Sequence, residues 1–237
     1  LDKSQIDDAG EKLLAYMGQS LRALDQSLGN KLHIIEGDQV EILWELIDLY
    51  GVNEVHISDE YERYGAERDA RVESAGIKLI RTGSPYAVKP GRVIKESDGT
   101  PYRVYTPFYR AWLKHGWRKP AEKFKKTPPW LMPLPSEELP KINSEIEIPK
   151  AGEKNALDLL EKFLQTAIKG YDENRNRPDL NGTSKLSIPL RFGEIHPRTI
   201  LIELNDTKDH DTFRKEICWR EFYAEVLATA PDSETKS

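Results

Sequence analysis

Two periodicities alternate through the first 80 residues, and that alternation limits the architectures open to the chain more than any other feature. Leu13, Leu14, Met17, Leu21, Leu24 and Leu28 recur at steps of three and four, one apolar helix stripe that stops at Gly29-Asn30, residues suited to a C-terminal cap. Residues 32–35 read as a short buried strand. Asp38 then precedes a second stripe, Val40, Leu43, Leu46, Ile47 and Tyr50, with Glu41 three residues on in the capping-box position and Gly51 at the end. Residues 54–58 read as another strand, 61–75 as a third helix and 77–81 as a third strand. Alternating helices and strands imply parallel pairing through right-handed crossovers, hence an α/β domain: an open parallel sheet with helices on both faces. A sheet of this kind normally opens on a central strand, whereas this chain opens on a helix, so its first strand is expected to be missing. No G-x-G-x-x-G follows any strand, which removes the dinucleotide fingerprint.

From residue 82 the character changes. Gly83, Pro85, Pro90, Gly91, Gly99, Pro101 and Pro107 punctuate the first part, and Pro120, Pro128, Pro129, Pro133, Pro135, Pro140 and Pro149 space out a stretch too proline-dense for long helices. The expected organisation is a domain over 1–110, an interdomain linker over 111–150 anchored by Trp112, Trp117 and Trp130, and a second domain over 151–237. That second part is all helical. Leu157, Leu160, Phe163, Leu164, Ala167 and Ile168 form a stripe closed by Gly170; a short helix follows near 186–192; Pro197 suits a helix first turn; Asp209 or Asp211 could cap a last helix running to about Ala228.

Composition narrows the function classes. Charged residues make up 32% and no run approaches the roughly 18 apolar residues of a membrane span, so no membrane partner is expected. The single Cys218 excludes an internal disulfide and every cysteine-cluster metal site, and points to a reducing, cytoplasmic setting. The five histidines never fall two, three or four residues apart, so no helix or strand face presents a pair to a metal, and none is expected. The net charge of -5 hides a block pattern: residues 1–80 carry 8 basic and 17 acidic side chains, 81–126 carry 12 and 3, and 127–237 carry 15 and 20. The basic band is either a phosphate-attracting surface or a solvated connector.

Two constellations carry chemistry. Around Tyr171 and Arg175, the run Gly182-Thr183-Ser184-Lys185-Leu186-Ser187 places hydroxyls and backbone N–H groups before a helix, a seat for a diphosphate, although the same residue types also serve as plain helix caps. In the second, Glu216, Trp219, Arg220 and Tyr223 stand at i, i+3, i+4 and i+7, so one helix face gathers a carboxyl, an indole, a guanidinium and a phenol. An ordinary Glu216–Arg220 salt bridge beside two interface aromatics has the same spacing.

The runs TSKLSIPLRFGEIHPR and EICWREFY, with Tyr171 and Arg175 ahead of them, resemble the flavin-binding helical domain of the DNA photolyase and cryptochrome family. RTGSPY from Arg81 and YRVYTPFYRAW from Tyr102 look like that family's N-terminal domain just before its linker. The likeness extends from about Leu21 to Leu227 and is greatest to the bacterial class I members that act on cyclobutane pyrimidine dimers.

The resemblance implies a light-driven lyase, most of whose flavin domain lies beyond this chain: an N-terminal antenna domain, a truncated all-helical domain holding FAD, and repair of cyclobutane pyrimidine dimers in UV-damaged DNA by a monomer. By motif match Tyr171 would contact FAD, Thr183, Ser184, Lys185, Leu186 and Ser187 would hold its phosphates, and Phe213 stands where many relatives carry a flavin-side Trp. Arg175, Glu216, Trp219, Arg220 and Tyr223 would face the DNA, with Glu216 and Trp219 as the catalytic pair. Trp219 would stack on the flipped dimer, and a buried Glu216 would stay neutral and donate a hydrogen bond to a pyrimidine carbonyl. Lys185 replaces the family's commoner Arg, and His196 its commoner Ser. A folate or deazaflavin antenna is open; so are a photoreceptor role and an inactive remnant. With only part of the pocket encoded, the chain alone is expected to hold FAD weakly and to be inactive.

Overall fold

The structure, a computed structural model, describes residues 9–122, 129–130 and 147–230. Among them run helices α1 (Glu11–Ser27) and α2 (Gln39–Tyr50), strand β1 (Val55–Ile57), α3 (Arg63–Ser74), β2 (Leu79–Arg81), α4 (Tyr105–His115), α5 (Glu153–Gln165), α6 (Tyr171–Asn174), α7 (Ser187–Arg191), α8 (Pro197–Ile202) and α9 (Lys208–Thr229). The chain divides into two compact units, one drawing on 1–53, 121–161 and 185–195, the other on 54–120, 162–184 and 196–237. The expected partition at 110 and 150 cuts the chain differently, and most of the linker falls outside the described residues.

In the first unit, α1 ends where the sequence says it should. Gly29 and Asn30 take the left-handed conformation, with φ of 67° and 59°, and their N–H groups return to the Gln26 and Asp25 carbonyls. Its buried face, however, is Ala15, Tyr16 and Gly18, while Leu13 and Leu24 of the expected stripe are exposed. The reason is polar. Tyr16 Oη donates to Glu194 Oε2 at 2.6 Å, and the other oxygen of that buried carboxylate accepts from Gly152 N at 2.6 Å. Gly152 sits at φ 105°, where an added Cβ would meet Ala23 Cβ at 2.8 Å, so small residues set this close approach. Asp38 caps α2, its carboxylate accepting from Val40 N and Glu41 N, and Gly51 closes the helix at φ 66°.

Residues 32–35 are not a strand. The Leu32 N–H is taken by the Asp25 side chain at 3.0 Å instead of a ladder partner, and the run is only half-buried. A four-residue apolar run does not by itself distinguish a strand from an extended connection.

The second unit holds the parallel sheet, two strands among the described residues. Val55, His56 and Ile57 pair in register with Leu79, Ile80 and Arg81, and α3 makes the crossover. Thr82 N donates to the Ile57 carbonyl and Asp59 N to the Gly83 carbonyl, carrying the two segments on together past the strands. Helix α4 runs through residues 111–115, where the linker was expected to begin; Pro107 falls at its third position, where no intrahelical donor is lost. Phe108, Tyr109 and Trp112 are its buried face, and Trp112 is wholly inaccessible, so it is a core residue and not a surface anchor. Helix α9, 22 residues long, supplies Phe213, Ile217, Cys218, Phe222 and Ala224 to the same core.

Candidate functional site

Helix α9 begins at Lys208 after Thr207, and neither aspartate expected to cap it does so. Asp209 instead accepts from Gly170 N and Asp172 N, both at 2.9 Å, and Thr212 Oγ1 donates to Asp172 Oδ1 at 2.7 Å. These bonds pin the single turn of α6, with Gly170 at φ 79°, and set Tyr171 against α9. There Tyr171 is buried edge-on to Phe163 and to Phe213, ring centroids 5.4 Å apart in both pairs, and burial pushes its phenol up to about 12. The two residues matched to the flavin thus share one aromatic cluster.

One turn further on, Arg175 Nη1 and Glu216 Oε1 form an ion pair, each side chain about a third or more exposed. The i to i+4 partner that spacing offered Glu216 is therefore not the one it takes. Nor is Glu216 the buried carboxyl that a neutral, hydrogen-bond-donating role requires; it is a surface carboxylate held by a guanidinium. Trp219, half-buried on the same helix, lies flat on Tyr105 of α4, centroids 3.6 Å apart and planes 6° from parallel. Tyr223 follows it and is 59% exposed.

Arg220 has a different occupation. Its guanidinium donates to the Pro85 carbonyl at 2.9 Å and lies over the Tyr86 ring at 4.4 Å. It is one of five side chains that grip residues 84–91 by their backbone. Glu221 accepts from Ala87 N and Val88 N at 2.8 and 2.9 Å, Glu225 from Gly91 N at 2.7 Å, and Arg198 Nε donates to the Ala87 carbonyl at 3.0 Å. His196 caps α8 through Nδ1, which accepts from Arg198 N, so the proton is on Nε2 and is donated to the Ser84 carbonyl. The ring is neutral here, and burial holds its pKa below the usual histidine value. Burial also raises Glu221 to about 7 and lifts Glu225, whose Oε1 has no hydrogen-bond partner. Sequence reasoning gave no role to Arg198, Glu221 or Glu225. The available signal for the two acids was their position beside Phe222 and Ala224, on the apolar side of α9.

The Thr183–Ser187 run is split between the two units, Thr183 and Ser184 ending a segment of one and Lys185, Leu186 and Ser187 opening a segment of the other. Gly182 is buried where a Cβ would lie 3.1 Å from the Asn174 carbonyl oxygen, a tight approach of the two backbones. Lys185 takes the left-handed conformation, φ 58°, and turns the chain. Thr183 and Ser184 are half-buried, Lys185 and Ser187 exposed, and Leu186 buried. Helix α7 after them has five residues, too short for its dipole to add much to an anion site.

Residues 1–129 match the family model for DNA photolyase. A deoxyribodipyrimidine photo-lyase of Alkalihalophilus pseudofirmus is 30% identical over 92% of this chain and 50% of its own length. A 31.6 kDa protein in the atpI 5′ region of Synechococcus sp. (strain PCC 6716) is 30% identical over 92% of this chain and 85% of its own length. A crystal structure of a bacterial class III photolyase from Agrobacterium tumefaciens superposes with a TM-score of 0.82 at 31% identity, covering 96% of this chain and 52% of that one. This chain spans about half the length of the photo-lyases it matches. Motif order, a parallel βαβ unit before an all-helical part, and these matches agree: the chain belongs to the DNA photolyase family.

Proposed function

We propose that the protein carrying this chain repairs cyclobutane pyrimidine dimers in UV-damaged DNA by a light-dependent electron transfer, as a cytoplasmic monomer. The observation that carries this reading is the surface of α9, where Glu216, ion-paired with Arg175 from the end of α6, the half-buried Trp219 and the exposed Tyr223 follow one another along the helix. When bound, fully reduced FAD would supply the one-electron chemistry. The chain's own part is binding and placement. Thr183 and Ser184 in one unit, and Lys185 and Ser187 in the other, are the donors matched to the diphosphate, Leu186 is matched with them, and Tyr171 with Phe213 forms an apolar cluster for the flavin side. Trp219 offers an indole to a base pair that flips out cheaply because it is already distorted, worth about 1–3 kcal/mol per stacked base. Arg175 holds Glu216 oriented at the surface, where its carboxylate accepts hydrogen bonds from a pyrimidine N–H. Arg220 acts by fixing residues 84–91 beneath the helix, not by touching phosphate.

The test is a repair assay under blue light on the protein expressed from its complete reading frame, with an oligonucleotide carrying one thymine dimer. Trp219→Ala should weaken binding of the damaged strand about tenfold while leaving undamaged DNA binding unchanged, in line with one lost stacking contact. A second reading, a blue-light photoreceptor, is favoured by one feature: Tyr105 already covers a face of the Trp219 indole. Flavin photochemistry without dimer splitting would select it.

A further inference from the structure

The basic band of the sequence takes no part in the proposed repair, and its two readings, phosphate surface or solvated connector, make different demands on structure. A connector needs no core. Residues 105–115, inside the band, are helix α4, whose inner face of Phe108, Tyr109 and Trp112 is buried. The segment before it is also built. Ile94 bridges Pro101 in antiparallel fashion, Lys95 N donates to the Thr100 carbonyl at 2.9 Å, and Asp98 closes the turn by accepting from Thr100 N at 2.9 Å. Lys114 and Glu96 form an ion pair that ties this hairpin to the end of α4. The band is therefore a folded surface.

Residues 92–119 carry seven basic side chains and two acidic ones. Both acids are engaged locally, Glu96 by Lys114 and Asp98 by its own turn. Arg92, Arg103, Arg110, Arg118 and Lys119 are all exposed and form no ion pair among the described residues. Elsewhere in this acid-rich chain surface arginines find carboxylates, as Arg63 does in Glu67, Arg81 in Glu73 and Arg177 in Asp179. Arg110 and Lys114 stand one turn apart on the side of α4 opposite its buried face, about 6 Å along the axis. Burial first, and then the charge of Arg118, lower the pKa of Arg198, so two guanidiniums stand within reach of each other; a bound anion relieves such repulsion. Four forked guanidiniums, each able to take two phosphate oxygens, suit a phosphodiester backbone. A protein interface has an apolar or aromatic centre with few charges, whereas the centre of this face is Arg110 and Lys114.

We propose that the outer face of α4, with the 92–102 hairpin, binds the phosphate backbone of duplex DNA irrespective of sequence or lesion, as a second contact separate from α9. Tyr105, on the inner side of the same helix, lies against Trp219, so the outer cations face away from that indole. Such a contact reads no base and uses no flavin, because counterions released from the phosphates supply the affinity. It goes beyond the repair reading and does not depend on it.

The probe is a short undamaged duplex, bound by the protein expressed from its complete reading frame over a series of salt concentrations. Arg103→Ala, Arg110→Ala and Arg118→Ala together should lower the slope of log K against log salt by about 0.9 for each phosphate contact removed. Arg103→Lys, Arg110→Lys and Arg118→Lys keep the charge and should keep the slope, which separates charge from folding. Arg63→Ala, Lys78→Ala and Lys154→Ala, at exposed cations elsewhere, should leave it unchanged. An unaltered slope in the α4 alanine triple would overturn the proposal. Phenylglyoxal, which modifies accessible arginines, tests the unsubstituted protein: peptide mass spectrometry should find Arg92, Arg103, Arg110 and Arg118 protected by the duplex. Protection confined to Arg175, beside α9, would sink the proposal and leave the repair reading standing. Protection by polyglutamate but not by the duplex would assign the surface to an acidic protein and sink it equally.

Discussion

Glu221 and Glu225 are the residues whose chemistry departs furthest from their place in the sequence. Both are acids on a helix rich in charge, yet both are buried and accept from backbone N–H groups of residues 84–91, Glu221 with both oxygens and Glu225 with one. Folded Glu221 holds its proton up to about pH 7, against about 4.3 for a free glutamate, so between those values the folded chain binds more protons than the unfolded one. Stability therefore falls as pH rises through that window. His196 works in the opposite sense: with its folded pKa below 6.5, its contribution is full above that value and is lost as pH falls below it. The stability difference between the parent and Glu221→Gln, read from urea midpoints taken from pH 4 to 8, should move in the variant's favour as pH rises, because the amide carries no ionisation cost. A constant gap between the two curves would contradict a raised Glu221. Neither acid was legible in the sequence, since spacing reports which face a residue occupies but not whether that face is covered. The partner of Glu216 was hidden for the same reason: spacing offered Arg220, four positions on, and the ion pair is made with Arg175, 41 positions away.

At the scale of elements, caps and turns were the most readable features, because their chemistry is local. Gly29-Asn30, Asp38, Gly51 and Pro197 all stand where the sequence placed them, whereas Gly170, expected to close α5, instead precedes α6 as its N-cap, since α5 ends at Gln165. Helix faces were less readable: the α1 stripe of leucines is half outside, and Glu194, far along the chain, decides which side of α1 is buried. Two substitutions check this. Gly152→Ala, forced to keep φ 105° and to crowd Ala23, should cost about 1–3 kcal/mol. His196→Ala, which removes the α8 cap and the Ser84 bond together, should cost about 1 kcal/mol or more, and His196→Ser should recover the cap portion alone. Equilibrium unfolding measures both; a Gly152→Ala protein as stable as the parent would mean the close approach is not as described. The run 32–35 shows the opposite limit, a strand-like composition whose first N–H is claimed by Asp25.

For the whole molecule, the alternation of periodicities gave the parallel βαβ unit, and several short motifs in order gave the family, whose model matches residues 1–129. The division into two interleaved units was beyond any sequence pattern, because it depends on contacts such as Gly152 to Glu194 that no local rule contains. The chain spans half of its photo-lyase relatives, and the donor set at Thr183–Ser187 is split between its units. On its own it should therefore retain well under one FAD per chain through gel filtration, read from flavin absorbance; stoichiometric flavin would contradict that expectation. The most direct measurement of the central claim is the dimer content of a single-lesion oligonucleotide incubated with the complete, flavin-reduced gene product, with and without blue light. The account predicts loss of the dimer in the light only, and much slower loss with Trp219→Ala. Dimer that persists equally in light and dark, with flavin bound and reduced, would contradict it.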